Sequence, residues 1–140
     1  IIVNDKKAGG VLIENVIRGN QWAYSVIGLG LNVLQQDFNN ELPFATSLRR
    51  QSGNNFVVFE LVTGIREKIF TYLLNRPDNT RLLRAYNDCL FRKDSLQRFK
   101  IGNDEFTATI NGATTNGLLQ LNLADGNTVN YSHGAIEWVL

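Results

Sequence analysis

The sequence predicts an α+β protein: an antiparallel sheet with packed helices, followed by a small closed β-structure. Three observations lead there. Residues 1 to 34 are strand-like, rich in Val, Ile, Trp and Tyr and punctuated by "GN". Apolar residues from Val58 to Leu73, and again from Leu82 to Cys89, recur at helical spacing. From about Gln97 the period changes to short alternating runs divided by glycine- and asparagine-bearing pairs, the rhythm of a compact all-β unit.

The first block contains three runs, "IIVN", "AGGVLIENVIR" and "QWAYSVIGLGLNVL". Gly19-Asn20 between the two long ones has the composition of a two-residue hairpin loop, where φ > 0 costs these residues least. A loop that short sets Arg18 against Gln21, and register then fixes every other pair. Counting back, Val11 falls opposite Gly28, Gly9 opposite Gly30 and Lys7 opposite Asn32. Opposed residues of an antiparallel pair project from one face. The hairpin is therefore expected to carry a patch bare of side chains, Gly9, Gly28 and Gly30, ending at Lys7 and Asn32. Glycine inside a strand costs roughly 0.5 to 1 kcal/mol relative to alanine, so three on one face mark either a sharp bend or a ligand lying against main chain. A lysine and an amide beside such a patch suit an anionic ligand; they also suit plain solvated surface. "GLGLN" is no dinucleotide fingerprint, because its spacing is wrong and no helix comes directly after it.

Next, "QQDFNNELPFATSLRRQSGNN" is a polar, turn-rich loop with Phe38, Leu42, Pro43 and Phe44 embedded in it, and loops of such length are commonly functional. Its phenylalanines read as core plugs or as a lid. A helix is expected through Val58, Leu61, Val62, Ile65, Ile69, Tyr72 and Leu73, with Ser52 or Asn54 near its start and Pro77 past its end. Thr80 is the expected cap of a shorter helix through Leu82, Ala85, Tyr86 and Cys89, whose apolar side would pack on the first. Both stripes are expected to be core. After the linker "RKDS" come "RFKI", "EFTATI", "LLQLNL", "TVNY" and "AIEWVL", separated by Asn103-Asp104, Asn111-Gly112, Asn116-Gly117, Asp125-Gly126 and His133-Gly134. So short a stretch makes a thin core, and this barrel is expected to lean on the helices. The expected division is residues 1–93 and 94–140.

Several classes are excluded. Lys and Arg total 14 against 13 Asp and Glu, so bulk charge implies no polyanion partner. Cys89 is the one cysteine, which rules out an internal disulfide and fits a reducing, cytoplasmic compartment; within its helical pattern it reads as a small buried residue. His133 is the one histidine, so no His/Cys cluster has metal-ligand spacing. No apolar run approaches the roughly 20 residues that a membrane-spanning helix needs. The chain has no methionine and opens on an apolar β-like run, which leads us to expect a fragment.

"KKAGGVLIE" resembles the "RK-x-AGILVE" strand of the biotin protein ligases, "VIGLGLNV" resembles the glycine-spaced strand next to it in their chain order, and "LPFATSL" is similar to the segment beyond their adenylate-covering loop. The tail "EFTATINGATTNGLLQLNLADGNTVNYSHGAIEW" is similar to the SH3-like domain that closes these enzymes, including its "HG-x-IEW". The resemblance runs in order over nearly the whole chain. It implies the carboxy-terminal portion of a class II synthetase-like catalytic domain over residues 1–93 and an SH3-like β-barrel over 94–140. It also implies ATP-dependent chemistry, in which the biotin carboxylate joins the α-phosphate to give biotinyl-5'-AMP and pyrophosphate. A lysine of a biotin carboxyl carrier protein then takes the biotin as an amide. ATP, Mg2+ and biotin are the implied ligands.

Carried over by residue, Lys7 matches the lysine of the "RK-x-AG" strand and would contact carboxylate and phosphate as they react. The strand glycines correspond to Gly10, Gly28 and Gly30, against which biotin and the adenylate would lie. The hairpin count instead favours Gly9; a bulge, or contact through main chain alone, would reconcile the two. Asn32 matches the asparagine ending "G-x-G-x-N" and would bind the phosphate side, with Mg2+ as a candidate bridge. Gln35 to Phe44 would be the flap over the adenylate, with Phe38 and Phe44 as packing partners.

The sequence departs from that family pattern in two places. The "GRGR-x-GR-x-W" loop that wraps biotin is absent, as is the "K-W-P-N-D" strand, and "IIVNDKK" resembles the residues immediately beyond that strand. The chain alone is therefore expected neither to ligate nor to hold biotin tightly. An unpaired edge at Ile1 to Asn4 would favour a homodimer. Nucleic acid enters only through an N-terminal module that some relatives carry. Two other readings stay open. One is a non-catalytic protein-binding module with a structural glycine patch. The other is a lipoate ligase relative, against which the end barrel and "HG-x-IEW" argue.

Overall fold

The computed structural model describes residues 1–139; Leu140, which ends the last apolar run, lies outside them. The chain forms two compact units, Ile1–Thr71 and the residues from Tyr72 onward.

A small hairpin opens the first unit, with β1 (Ile2–Val3) antiparallel to β2 (Lys6–Lys7). Asn4 and Asp5 make its turn at φ 48° and 60°, the left-handed region that short polar side chains tolerate. The long hairpin comes next, β3 (Gly9–Arg18) against β4 (Gln21–Leu31), and Arg18 faces Gln21 as the two-residue loop requires. Beyond that turn the expected register fails. Ile17 faces Trp22 but Val16 faces Tyr24, so Ala23 is the extra residue of a β-bulge and every later pair moves by one. Gly10, not Gly9, stands opposite Gly30, and Gly28 faces Leu12 rather than Val11. Both faces of the hairpin carry uncovered apolar side chains: Leu12, Ile17 and Trp22 are 65%, 67% and 71% exposed. Two strands alone can bury neither face.

The two expected helices keep their places but not their expected burial, and a short helix that was not expected forms inside the polar loop before them. Helix α1 (Leu48–Ser52) is capped by Ser47, whose Oγ accepts from the Arg50 N–H at 3.1 Å, and Gly53 ends it in the left-handed region. Helix α2 (Val58–Asn75) has no buried residue, and the stripe expected as core is an open face, with Val62 and Leu73 56% and 61% exposed. Apolar periodicity identifies the face that can be covered, and nothing in it guarantees a cover. Helix α3 (Asn79–Asp88) is capped by Asp78 rather than Thr80: the Asp78 carboxylate accepts from the Arg81 N–H at 2.9 Å and also complements the helix dipole. Cys89 forms the C-cap and is exposed, not buried.

In the second unit five antiparallel strands run in the order β8-β7-β6-β5-β9. They are β5 (Leu96–Ile101), β6 (Asp104–Ala113), β7 (Leu119–Leu123), β8 (Thr128–Tyr131) and β9 (Glu137–Val139). Asn111-Gly112, whose composition predicts a turn, lies inside β6: Ile110 faces Leu121 and Gly112 faces Gln120, so Asn111 is another bulge. A Cβ on Gly112 would lie 3.1 Å from Asn87 Oδ1. That clearance lets the Asn87 amide bind the main chain of Ala113, donating to its carbonyl at 3.0 Å and accepting from its N–H at 2.7 Å, which ties α3 to β6.

The sheet is open, where a closed barrel was expected. Its edge strands β8 and β9 are four and three residues long and do not pair with each other among the described residues. Side chains close the structure instead. Phe99, Ala108, Ile110 and Leu121 form the buried core, and Tyr131 from one edge and Trp138 from the other pack against it. Ring contacts join them in a chain, with Tyr131–Phe106, Phe106–Phe99 and Phe99–Trp138 centroids 6.0, 5.8 and 5.8 Å apart. Phe99 is central to this chain and 1% exposed. Phe99→Ala is expected to lower unfolding free energy by about 3–5 kcal/mol, read as a shifted urea midpoint at constant slope.

Candidate functional site

The corrected register creates the site. Gly10 lies directly opposite Gly30, and Gly28 sits two residues along on the same face. No heavy atom lies within 4 Å of where a Cβ at Gly10 or Gly30 would sit, and at Gly28 the nearest atoms are those of Leu12 at 4.0 Å. These three glycines form an open floor of main chain. Gly9 does something else. A Cβ there would fall 2.3 Å from the Gly30 carbonyl oxygen, so its lack of a side chain is what lets the two strands meet.

A second bulge stands between Lys7 and Gly10. The N–H groups of Ala8 and Gly9 both donate to the Ile1 carbonyl, at 3.0 and 3.3 Å, setting two residues against one. Lys7 pairs with Ile2, not with Asn32 as counting from the Gly19-Asn20 turn predicts. Its main chain is clamped on the other edge, where its N–H donates to Phe44 O at 2.7 Å and its carbonyl accepts from the Thr46 N–H at 3.0 Å. The ammonium itself is exposed and has no hydrogen-bond or ion-pair partner among the described residues.

Asn32 extends the row of Gly28 and Gly30. Its N–H donates to Ala8 O at 2.7 Å and its carbonyl accepts from the Leu48 N–H at 3.0 Å. The side-chain Nδ2 donates to Thr46 O at 3.1 Å, which fixes the amide and leaves Oδ1 as an acceptor. One residue thus binds both the Lys7 main chain and the Asn32 side chain: the Thr46 N–H donates to the Lys7 carbonyl, and the Thr46 carbonyl accepts from Asn32 Nδ2. Thr46 and Ser47 are fully buried, and sequence reasoning had not singled them out. Thr46 Oγ1 accepts from Gln51 Nε2 at 2.7 Å, and the Ser47 hydroxyl donates to Gln35 O. The available signal was the adjacent hydroxyl pair just before a short helix, since Ser at an N-cap leaves so plain a trace.

The expected flap, Gln35 to Phe44, has neither helix nor strand. Phe38 is partly buried with the Arg50 guanidinium 6.0 Å from its ring centroid, whereas the Phe44 ring is 52% exposed. Among the described residues no three His, Cys, Asp or Glu side chains gather as a metal site, and no helix is long and apolar enough to cross a membrane.

The fold is similar to that of solved biotin protein ligase structures. The biotin protein ligase from Aquifex aeolicus matches with a TM-score of 0.76 at 18% identity, over 98% of this chain and 60% of that one. Its apo structure matches at 0.74 and 17% identity, over 98% and 60%, and the enzyme in complex with biotin and ATP at 0.75 and 18%, over 98% and 57%. At such identity the likeness establishes a shared fold. The chain spans 57 to 60% of the length of these neighbours. No protein-family model and no curated protein matches the sequence.

Proposed function

We propose that this chain is the carboxy-terminal part of an ATP-dependent biotin protein ligase. The observation that carries the reading is the open floor of Gly10, Gly28 and Gly30, three residues along the chain from the exposed, unpartnered Lys7, in a chain with the fold of such enzymes. In the first half-reaction a biotin carboxylate oxygen attacks the α-phosphorus of ATP and the bond to pyrophosphate breaks. Lys7 would sit where negative charge grows, and an ammonium fixed there stabilises the transition state. The glycine floor would let biotin and its adenylate approach main chain directly. Asn32 would hold the phosphate side through Oδ1, with Mg2+ neutralising phosphate charge when bound. Phe38 and Phe44 would pack over the adenylate. In the second half-reaction a neutral lysine amine of a biotin carboxyl carrier protein attacks the acyl carbon and AMP leaves.

The same reading includes a cytoplasmic setting, residues 1–93 and 94–140 as functional portions, and self-association through strands left open at Ile1 to Asn4. The uncovered hairpin side chains also suit a protein-docking module, and ligand binding separates the two. Because the wrapping loop and the "K-W-P-N-D" strand are not in this sequence, calorimetry of the 140-residue chain with biotin and ATP is expected to give little heat. Submicromolar binding would show that those segments are dispensable. A full-length protein carrying this chain is expected to release pyrophosphate in a biotin-dependent way, and its failure to do so with an added carrier would favour the docking module.

A further inference from the structure

The two lysines of β2 serve different neighbourhoods. Lys6 is half-buried and lines a cavity of about 200 Å3 with Phe38, Asn39, Asn40, Pro43 and Arg50 among its walls. Lys6 and Arg50 are the only ionisable groups lining it. Each is anchored by one long hydrogen bond to main chain, Lys6 Nζ to Pro43 O and Arg50 Nη1 to Gln36 O, both at 3.4 Å. An ammonium has three donors and a guanidinium five, so most of their N–H groups are uncommitted. Neither cation is ion-paired among the described residues. The acidic groups of the same loop are placed elsewhere: Glu41 accepts from Asn39 Nδ2 at 3.3 Å outside the cavity, and Asp37 lines a neighbouring one beside Arg49 and Arg50.

Two cations lining one small cavity with no carboxylate in its wall repel each other, and a bound anion reverses the sign of that interaction. A carboxylate neutralises one of them; a dianion neutralises both. We infer that the cavity takes a small phosphate-class anion of two or more negative charges, inorganic phosphate or pyrophosphate, held between Lys6 and Arg50. Such an anion ties together β2, residues 38–45 and α1, the same pieces whose main chain clamps Lys7. The inference uses neither Lys7 nor the glycine floor; it shares Phe38 with the proposed flap, and the Lys7→Ala arm of the test separates it from the proposed ligase reaction.

The test is a titration of the 15N-labelled 140-residue chain with phosphate and, separately, pyrophosphate, at constant ionic strength set by chloride. Amide signals of Lys6 and of residues 38–45 are expected to shift and saturate. Lys6→Gln and Arg50→Gln, both on exposed or half-exposed positions, should each weaken the effect at least about tenfold, the loss expected for one charge-assisted contact. Lys7→Ala should leave it intact. Saturation by both anions identifies an orthophosphate-sized site, and saturation by pyrophosphate alone a site for the longer anion; either supports the inference. Shifts that do not saturate, or that survive both substitutions, overturn it. Loss of binding in Lys7→Ala overturns it as well, by moving the anion to the glycine floor.

Discussion

Lys7→Ala, made in a full-length protein carrying this chain, is expected to lower biotin-dependent pyrophosphate release by on the order of a hundredfold or more, with folding unchanged. Both halves of that expectation come from the same geometry. Everything that fixes Lys7 is main chain: the pairing with Ile2, the donation to Phe44 O and the acceptance from Thr46 N–H. Truncating the side chain leaves all of these in place and removes no buried contact, since the side chain is exposed and unpartnered. What disappears is the positive charge that the proposed mechanism sets beside the glycine floor. If charge develops there only as the α-phosphate is attacked, the loss falls on kcat more than on KM for biotin. Steady-state rates and a urea melt of both proteins check this. Equal rates would remove Lys7 from the mechanism, and a large drop in stability would reduce it to a structural residue.

Turn chemistry was legible in the sequence; bulges were not. Gly19-Asn20 declares itself because few residues tolerate a two-residue loop, and the Arg18–Gln21 pair is its direct consequence. Ala23 declares nothing, because a bulge answers to local strand twist and any small residue can occupy it. One unread bulge is enough to exchange Gly9 for Gly10 in the floor and to set Asn32 against Ala8 instead of Lys7. The motif resemblance points to Gly10 where counting points to Gly9, and a bulge is the condition under which both can hold. Asn111-Gly112 shows the same blindness in reverse, with turn-forming residues serving inside a strand. Apolar stripes were legible as stripes. Whether Val62 or Leu73 is covered depends on what lies against α2, which periodicity does not encode. Closure of the end sheet was equally hidden, because it turns on the lengths of β8 and β9, and element ends are set by competition among hydrogen bonds that composition barely records.

Gly30→Val and Gly9→Ala should fail in opposite ways, and the contrast tests whether the floor exists for a ligand. At Gly30 a Cβ enters open space and valine favours an extended backbone, so the variant is expected to fold with native stability. Its side chain would stand directly on the surface where biotin or the adenylate must lie. Displacing a bound reactant by an ångström or so is worth on the order of a hundredfold in rate, and kcat/KM should drop by about that factor. At Gly9 the added methyl would sit 2.3 Å from the Gly30 carbonyl, a backbone atom that cannot swing away. That clash should cost about 1–3 kcal/mol of stability through separation of β3 from β4. Urea melts and kcat/KM measured on both variants of the full-length protein decide the matter. A Gly30→Val enzyme with normal stability and undiminished kcat/KM would mean that nothing rests on the floor during turnover. Gly10, Gly28 and Gly30 would then be explained by the bend of the hairpin alone.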